Sequence, residues 1–262
     1  MYSKGEYLTI LLDIESSPHM AYVWNVWKQN VQHEMMINRG YIMCATVKVL
    51  GENQCYYYET RDEDDSEVVK ALMEWLSLAD IVIAHNAKKF DIPLIRARAI
   101  VHGMKPPSPY KVIDTLEIAK REFRFVRNTL KNLAEELHCT PKDSHAKFPG
   151  FSLWSECIKG NDEAWEEMKL YNIEDVITLE EVYLKLRPWD TQHPNVLNQD
   201  DTVDDGKQRC PKCGSYHLQR RGYYYSNTGQ YQRHQCQDCG GWSSTRYTEN
   251  SIKTRKSLLK SR

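Results

Sequence analysis

The chain has 262 residues, 41% hydrophobic and 27% charged, with a net charge of −1; this is the composition of a globular protein, not of a disordered or collagen-like one. No apolar run approaches the roughly 18 residues of a membrane span, and the first residues lack a secretory-signal pattern, so the expectation is a cytoplasmic protein with no membrane partner. The near-neutral balance hides an asymmetry. Residues 207–262 carry 12 Lys and Arg against Asp238 and Glu249, leaving +10, whereas the 23 basic and 34 acidic residues of 1–206 leave −11. A compact segment at +10 reads as a polyanion-binding surface, against the plainer reading of a solubilising tail.

In chain order, residues 7–14 (YLTILLDI) predict a strand, and 41–50 and 54–60 two more, which together open the domain as an antiparallel meander. Asp13 and Glu15 stand at i and i+2 on the first run, so both side chains leave one face of the strand. Between the first two strands, residues 18–40 hold Tyr22, Trp24 and Trp27 in a polar setting. These rings could stack on a nucleotide base or pack over their own insertion.

Residues 65–79 repeat apolar positions at helical spacing (Val69, Leu72, Met73, Leu76, Ala79), and a buried-looking strand, 81–84, ends at His85-Asn86. His85 reads as structural. A helix over 91–103 begins at Asp91, with Pro93 in its first turn and Gly103 at its end. A strand at 110–114 and helices at 115–123 and 128–138 follow, the last capped by Asn128. Asp114, at a strand end, is either a supporting acid or the cap of the helix at Thr115. Residues 139–160 are irregular in pattern, and a long helix over 161–186 carries Tyr171 and Asp175 at i and i+4, on one face. Strands first and interleaved helices afterwards predict an α/β sheet covered by helices. Pro188 ends that helix, and 189–208 read as an acidic linker.

Four carboxylates, Asp13, Glu15, Asp91 and Asp175, cannot converge without a cation to offset their repulsion and desolvation. Oxygen-only ligands select magnesium or manganese over zinc. Two such ions about 3.5–4 Å apart are the usual apparatus for phosphodiester hydrolysis.

The three segments resemble the exonuclease motifs of the DEDD-type 3′→5′ exonuclease superfamily, whose fold is ribonuclease H-like. Asp13-Ile14-Glu15 matches the first motif, with Ser17 where the family often has threonine. Asn86, Phe90 and Asp91 match the second, and Tyr171 with Asp175 match the third. This is the tyrosine subclass, since the histidine subclass would need histidine at Leu170. The resemblance covers residues 5–188. It implies two catalytic Mg²⁺ or Mn²⁺ ions held by Asp13, Glu15, Asp91 and Asp175, with Tyr171 orienting the attacking water. Ser17 is expected to contact substrate, and Asn86 either contacts substrate or braces its loop. The implied substrate is nucleic acid, with single-stranded DNA favoured and RNA possible, and a repair or proofreading role would be exercised as a separate subunit. An exoribonuclease and a non-catalytic nucleic-acid-binding adaptor are the alternatives.

Cys210-Pro-Lys-Cys213-Gly214 and Cys236-Gln-Asp-Cys239-Gly240, separated by 22 residues, form two Cys-x-x-Cys-Gly knuckles around a hairpin pattern turning at Asn227-Thr228-Gly229. Over 209–250 this predicts a zinc ribbon with one structural Zn²⁺. A segment of about 50 residues with few aliphatic side chains could not fold on its own core. The hairpin interleaves Arg220, Arg221 and Arg233 with Tyr223, Tyr224, Tyr225 and Tyr231, which suits a single-stranded nucleic-acid platform. The competing reading makes alternate tyrosines the ribbon's core. The ribbon could equally dock a replication or repair protein. The basic tail, 251–262, is expected to be disordered or to order only on nucleic acid. Cys44, Cys55, Cys139 and Cys157 read as small buried hydrophobes without disulfides.

Overall fold

A computed structural model describes residues 7–140, 147–198 and 206–259. It forms two compact units, Met1–Tyr183 and Leu184–Arg262.

The first unit is built on a five-stranded mixed sheet of β1 (Thr9–Ser16), β4 (Ile42–Val49), β5 (Cys55–Glu59), β6 (Ile81–Ala84) and β7 (Lys111–Asp114), in the order β5-β4-β1-β6-β7. The pairs β1–β4 and β4–β5 are antiparallel, as the meander pattern predicts, and β1–β6 and β6–β7 are parallel. The central strand β1 therefore has a hairpin-type neighbour on one side and crossover-type neighbours on the other.

Alternation along β1 divides its side chains. Ile10, Leu12 and Ile14 join a buried cluster with Val69, Leu72 and Leu76 of α1 (Ser66–Leu78) and Ile92 and Ile95 of α2 (Asp91–Val101). Each such fully buried aliphatic contributes about 1.5–3 kcal/mol of transfer free energy. Asp13 and Glu15 take the opposite face, where α6 (Asp162–Leu186) lies, since Asn172 of α6 bonds to Asp13. Further helices are α3 (Thr115–Glu122), α4 (Leu130–Glu136) and α5 (Ser152–Ile158).

Several local expectations change. The α4 cap is Thr129, not Asn128: the Thr129 Oγ1 accepts from the Asn132 amide, and helical geometry begins only at Leu130. The stretch 139–160 is not irregular throughout, because Leu153 and Cys157 give α5 a buried stripe against Trp165 and Met168 of α6. Within 18–40, β2 (Met20–Ala21) and β3 (Met36–Asn38) pair as a short antiparallel ribbon, and Trp24 and Trp27 between them are 96% and 80% exposed instead of packed.

The second unit holds a three-stranded sheet of β8 (Leu218–Tyr225), β9 (Gln230–Cys236) and β10 (Trp242–Ser244), in the order β10-β9-β8. The predicted hairpin is β8–β9, with the Ser226 amide bonding to the Gly229 carbonyl across the turn; β10 has no clear pattern in the sequence. The tyrosines do not make a core: Tyr223, Tyr224 and Tyr225 are exposed. The start of the tail is ordered, contrary to expectation, as α7 (Ile252–Ser257), because the Ser251 Oγ accepts from the Thr254 amide and caps it. Residues 260–262 lie outside the described residues. No helix among the described residues is long and apolar enough to cross a membrane. All eight cysteines are free of disulfides.

Candidate active site

The carboxyl ends of the three parallel strands supply most of the polar groups, which is where open α/β sheets place their ligand crevices. The end of β1 carries Asp13 and Glu15, and a register shift follows directly between Glu15 and Ser16. Past β6 comes the turn at Asn86, held at φ +66°, a left-handed conformation that asparagine tolerates better than most residues. Asp114, at the end of β7, braces that turn. Its Oδ1 accepts from the amides of Asn86 (3.0 Å) and Leu116 (3.0 Å), and its Oδ2 from the amide of Lys88 (3.1 Å). Asp114 thus caps α3 and fixes the start of the segment that delivers Asp91, so its carboxylate is spent on backbone amides.

Asp13, Glu15 and Asp175 converge, offering one oxygen each within 4.8 Å of one another. Two come from one strand face and the third from α6, so the sheet–helix packing sets their separation. Tyr171, one helical turn before Asp175, is half-buried, and its ring meets Trp154 edge-on at 6.0 Å. All four line a cavity of about 1080 Å³ together with His85, Phe90, Lys131 and His138. That is at the upper end of the roughly 300–1,000 Å³ typical of ligand pockets.

Asp91 lies outside the three-residue cluster. It is 2% exposed at the first position of α2, and no donor among the described residues reaches its Oδ2. Burial foremost, and then the charge of Asp13, pushes its carboxyl well above the usual range. Burial likewise raises the Tyr171 phenol to about 12, with Glu15 and Asp13 adding to the shift. A buried carboxylate oxygen with no partner and three converging carboxylates fit a divalent cation held by oxygen, because a cation would reverse both penalties.

The other expected contacts fall differently. Ser17 is buried, and its Oγ accepts from the Tyr41 amide at 3.0 Å, which ties the end of β1 to Tyr41 and does not present the hydroxyl to a ligand. Trp24 projects into solvent. His85 bonds to the Thr115 hydroxyl and the Asn128 carbonyl, each at 2.9 Å, and burial holds its pKa below the ordinary value, so it stays neutral while lining the cavity. Asn172, Lys131 and His138 are site residues that sequence reasoning passed over. Of these, Asn172 had a usable signal, being three residues before Asp175 and hence on the same helix face.

In the second unit the four cysteines offer sulfurs within 4.8 Å of one another. Cys210–Cys239 and Cys213–Cys236 are each 3.6 Å apart, Sγ to Sγ. Four thiolates about 2.3 Å from a tetrahedral zinc would be about 3.8 Å apart, whereas a disulfide requires about 2.05 Å. Burial opposes the Cys236 thiolate, but the amides of Cys239 and Asp238 together with hydrogen bonds from the Cys213 and Cys239 thiols bring its pKa down to about 7, while burial pushes the Cys210 and Cys213 thiols up. The donor set, spacing and amide support fit a closed four-thiolate zinc shell. Arg220 and Arg221 are exposed on β8, beside the irregularity where Gly222 takes φ +70°.

A family model described as the RNase_H superfamily matches residues 33–187, more than half of the chain. The match begins downstream of β1, so Asp13 and Glu15 precede it. Among solved structures, the chain is similar to the family B DNA polymerase from the hyperthermophilic archaeon Pyrobaculum calidifontis. The likeness has a TM-score of 0.52 at 14% identity over 84% of this chain, and spans 31% of the polymerase. The chain thus covers about a third of that protein, and at this identity the likeness concerns fold alone. No curated protein matches the chain.

Proposed function

The chain belongs to the RNase H superfamily, and from that premise we propose that it is a divalent-metal-dependent 3′→5′ exonuclease of the DEDD tyrosine subclass acting on single-stranded DNA. The observation that carries this reading is the convergence of Asp13, Glu15 and Asp175 oxygens within 4.8 Å on the wall of a large cavity, beside Tyr171. Asp13, Glu15 and Asp175 would hold one Mg²⁺ or Mn²⁺, and Asp91 would share the second with Asp13. When bound, such ions lower the pKa of water and offset charge on the phosphodiester. A phenol, with its ordinary pKa near 10, stays protonated at neutral pH, so Tyr171 would act by orienting the attacking water, not as its base. Asn86 and the exposed Trp24 would contact the terminal nucleotides. The zinc ribbon, with Arg220 and Arg221, would hold the strand beyond them.

The test is digestion of end-labelled single-stranded DNA and RNA with Mg²⁺ or Mn²⁺, with 3′ or 5′ ends blocked. A 3′ block should stop digestion and a 5′ block should not. Asp13→Ala or Asp175→Ala should cut activity about 10³-fold, the several kcal/mol that metal charge stabilisation contributes, without unfolding the protein. Cleavage of a closed circle would identify an endonuclease. Digestion of RNA alone would reassign the substrate, and full activity in either variant would sink the carboxylate assignment.

A further inference from the structure

Asn172 lies on α6 between Tyr171 and Asp175 and is fully buried. Its Nδ2 donates to Asp13 Oδ2 at 2.7 Å, whereas no donor among the described residues reaches its own Oδ1. A buried amide satisfied at one end adds little to the fold, because the unmet oxygen has been desolvated for nothing. The donor end therefore carries its use.

Asp13 and Asp175 come from different elements, and two carboxylates this close repel each other. Asn172 stands three residues before Asp175, on the same side of the helix. Its bond to Asp13 ties the strand carboxylate to the helical turn that carries Asp175. A lysine or arginine in that place would neutralise Asp13. An amide fixes one oxygen and leaves the charge intact. We infer that Asn172 is a positioning residue that orients the Asp13 carboxylate for a divalent cation, an inference that rests on the metal-dependent reading above.

Asn172→Leu keeps the branching and heavy-atom count of the side chain and removes both the donor and the unmet oxygen. In the full chain prepared with zinc, the variant should melt close to the wild-type temperature, because deleting the unmet oxygen offsets the donor lost to Asp13. It should bind Mn²⁺ about 10–100-fold more weakly by titration calorimetry, since removing an outer partner of a metal ligand costs that much. kcat should fall by a similar factor while KM for a short oligonucleotide stays within about twofold, and raising Mn²⁺ should recover part of the loss. A lower melting temperature with unchanged Mn²⁺ affinity would overturn the inference, leaving Asn172 a structural residue. Should leucine prevent folding, Asn172→Ala gives the same comparison. Asp13→Ala is the control. If wild type binds Mn²⁺ no better than that control, the metal-dependent reading fails and this inference with it. If wild type binds and Asn172→Leu binds equally well, only the role of Asn172 is lost.

Discussion

In the first unit the acidic cluster sits on the rim of an apolar core; in the second, cysteines supply two of the three buried side chains among residues 206–259. Ile10, Leu12, Ile42, Leu72, Leu76 and Ile95 are all fully buried around the mixed sheet. Among the described residues of 206–259, the buried side chains are Cys210, His234 and Cys236. The fold therefore prepares the oxygen cluster, whereas the sulfur cluster must prepare its own fold. Under the proposed reading, the same contrast would separate a cation that serves chemistry from one that serves structure.

Metal removal should break the two units apart in behaviour, and this is the largest effect expected. Stripping Mg²⁺ or Mn²⁺ should leave the first unit folded. Stripping zinc, or changing Cys210 and Cys213 to serine, should unfold 209–250, because structural zinc supplies about 10–16 kcal/mol in small thiolate domains. Amide exchange resolved by residue reads both. Protection that persists on β8 and β9 after chelation would mean that the ribbon has a core beyond its cysteines.

Within the first unit, two buried carboxylates sharpen the comparison. Asp91 is pushed up by burial and by Asp13. Asp65 suffers burial too, but it accepts from Arg98 Nε and Nη2 (both 2.8 Å), the Ile42 amide (2.8 Å) and His102 (2.6 Å), and these hold its carboxyl below the ordinary range. The protein thus neutralises Asp65 with the Arg98 guanidinium, which links the start of α1 to α2. A folded pKa below the unfolded value of about 3.9 makes this contribution full above roughly pH 4 and lost as pH falls through the folded pKa. Arg98→Met should cost about 3–5 kcal/mol in urea unfolding at pH 7, because it leaves a buried charge uncompensated. Asp65→Asn should flatten the dependence of stability on pH below 4. An unchanged acid limb in that variant would move the acid sensitivity to other carboxylates.

The same physics separates what the sequence made legible from what it did not. Helical spacing located α1, α2 and α6, and β1 and β4 were legible as apolar runs, β4 being buried at all eight positions. Asp13, Glu15 and Asp175 were legible because a strand face and a helix face put acids where no apolar pattern explains them. The spacing of Asn172 to Asp175 put it on the right helix face, but its role was not legible until its partner, 159 residues away in sequence, was known. Thr129 took the cap from Asn128 through a one-residue difference in where the chain turns helical. The strand β10 was invisible because three exposed or half-exposed residues carry no periodicity. The ribbon's tyrosines looked like a core only if a core was required, and the cysteines remove that requirement.

The smallest expected effect concerns what the ribbon's surface touches. Its β8 strand is almost wholly exposed and carries Arg220, Arg221, Tyr223, Tyr224 and Tyr225, while Arg233 lies over the Trp242 ring at 5.1 Å. Phosphates would meet the guanidinium groups and bases the rings. Each phosphate contact contributes about 0.7 to the slope of log K against log salt for a single strand. Arg220→Gln with Arg221→Gln should therefore lower that slope by roughly 1.4 if each arginine meets one phosphate. Because neither residue belongs to the carboxylate cluster, kcat on a short oligonucleotide should not change, and the zinc shell should stay folded. Filter binding to a long single strand across a salt series separates the possibilities. A slope that stays where it was would remove the ribbon from the nucleic-acid surface and assign its exposed arginines and tyrosines to a protein partner.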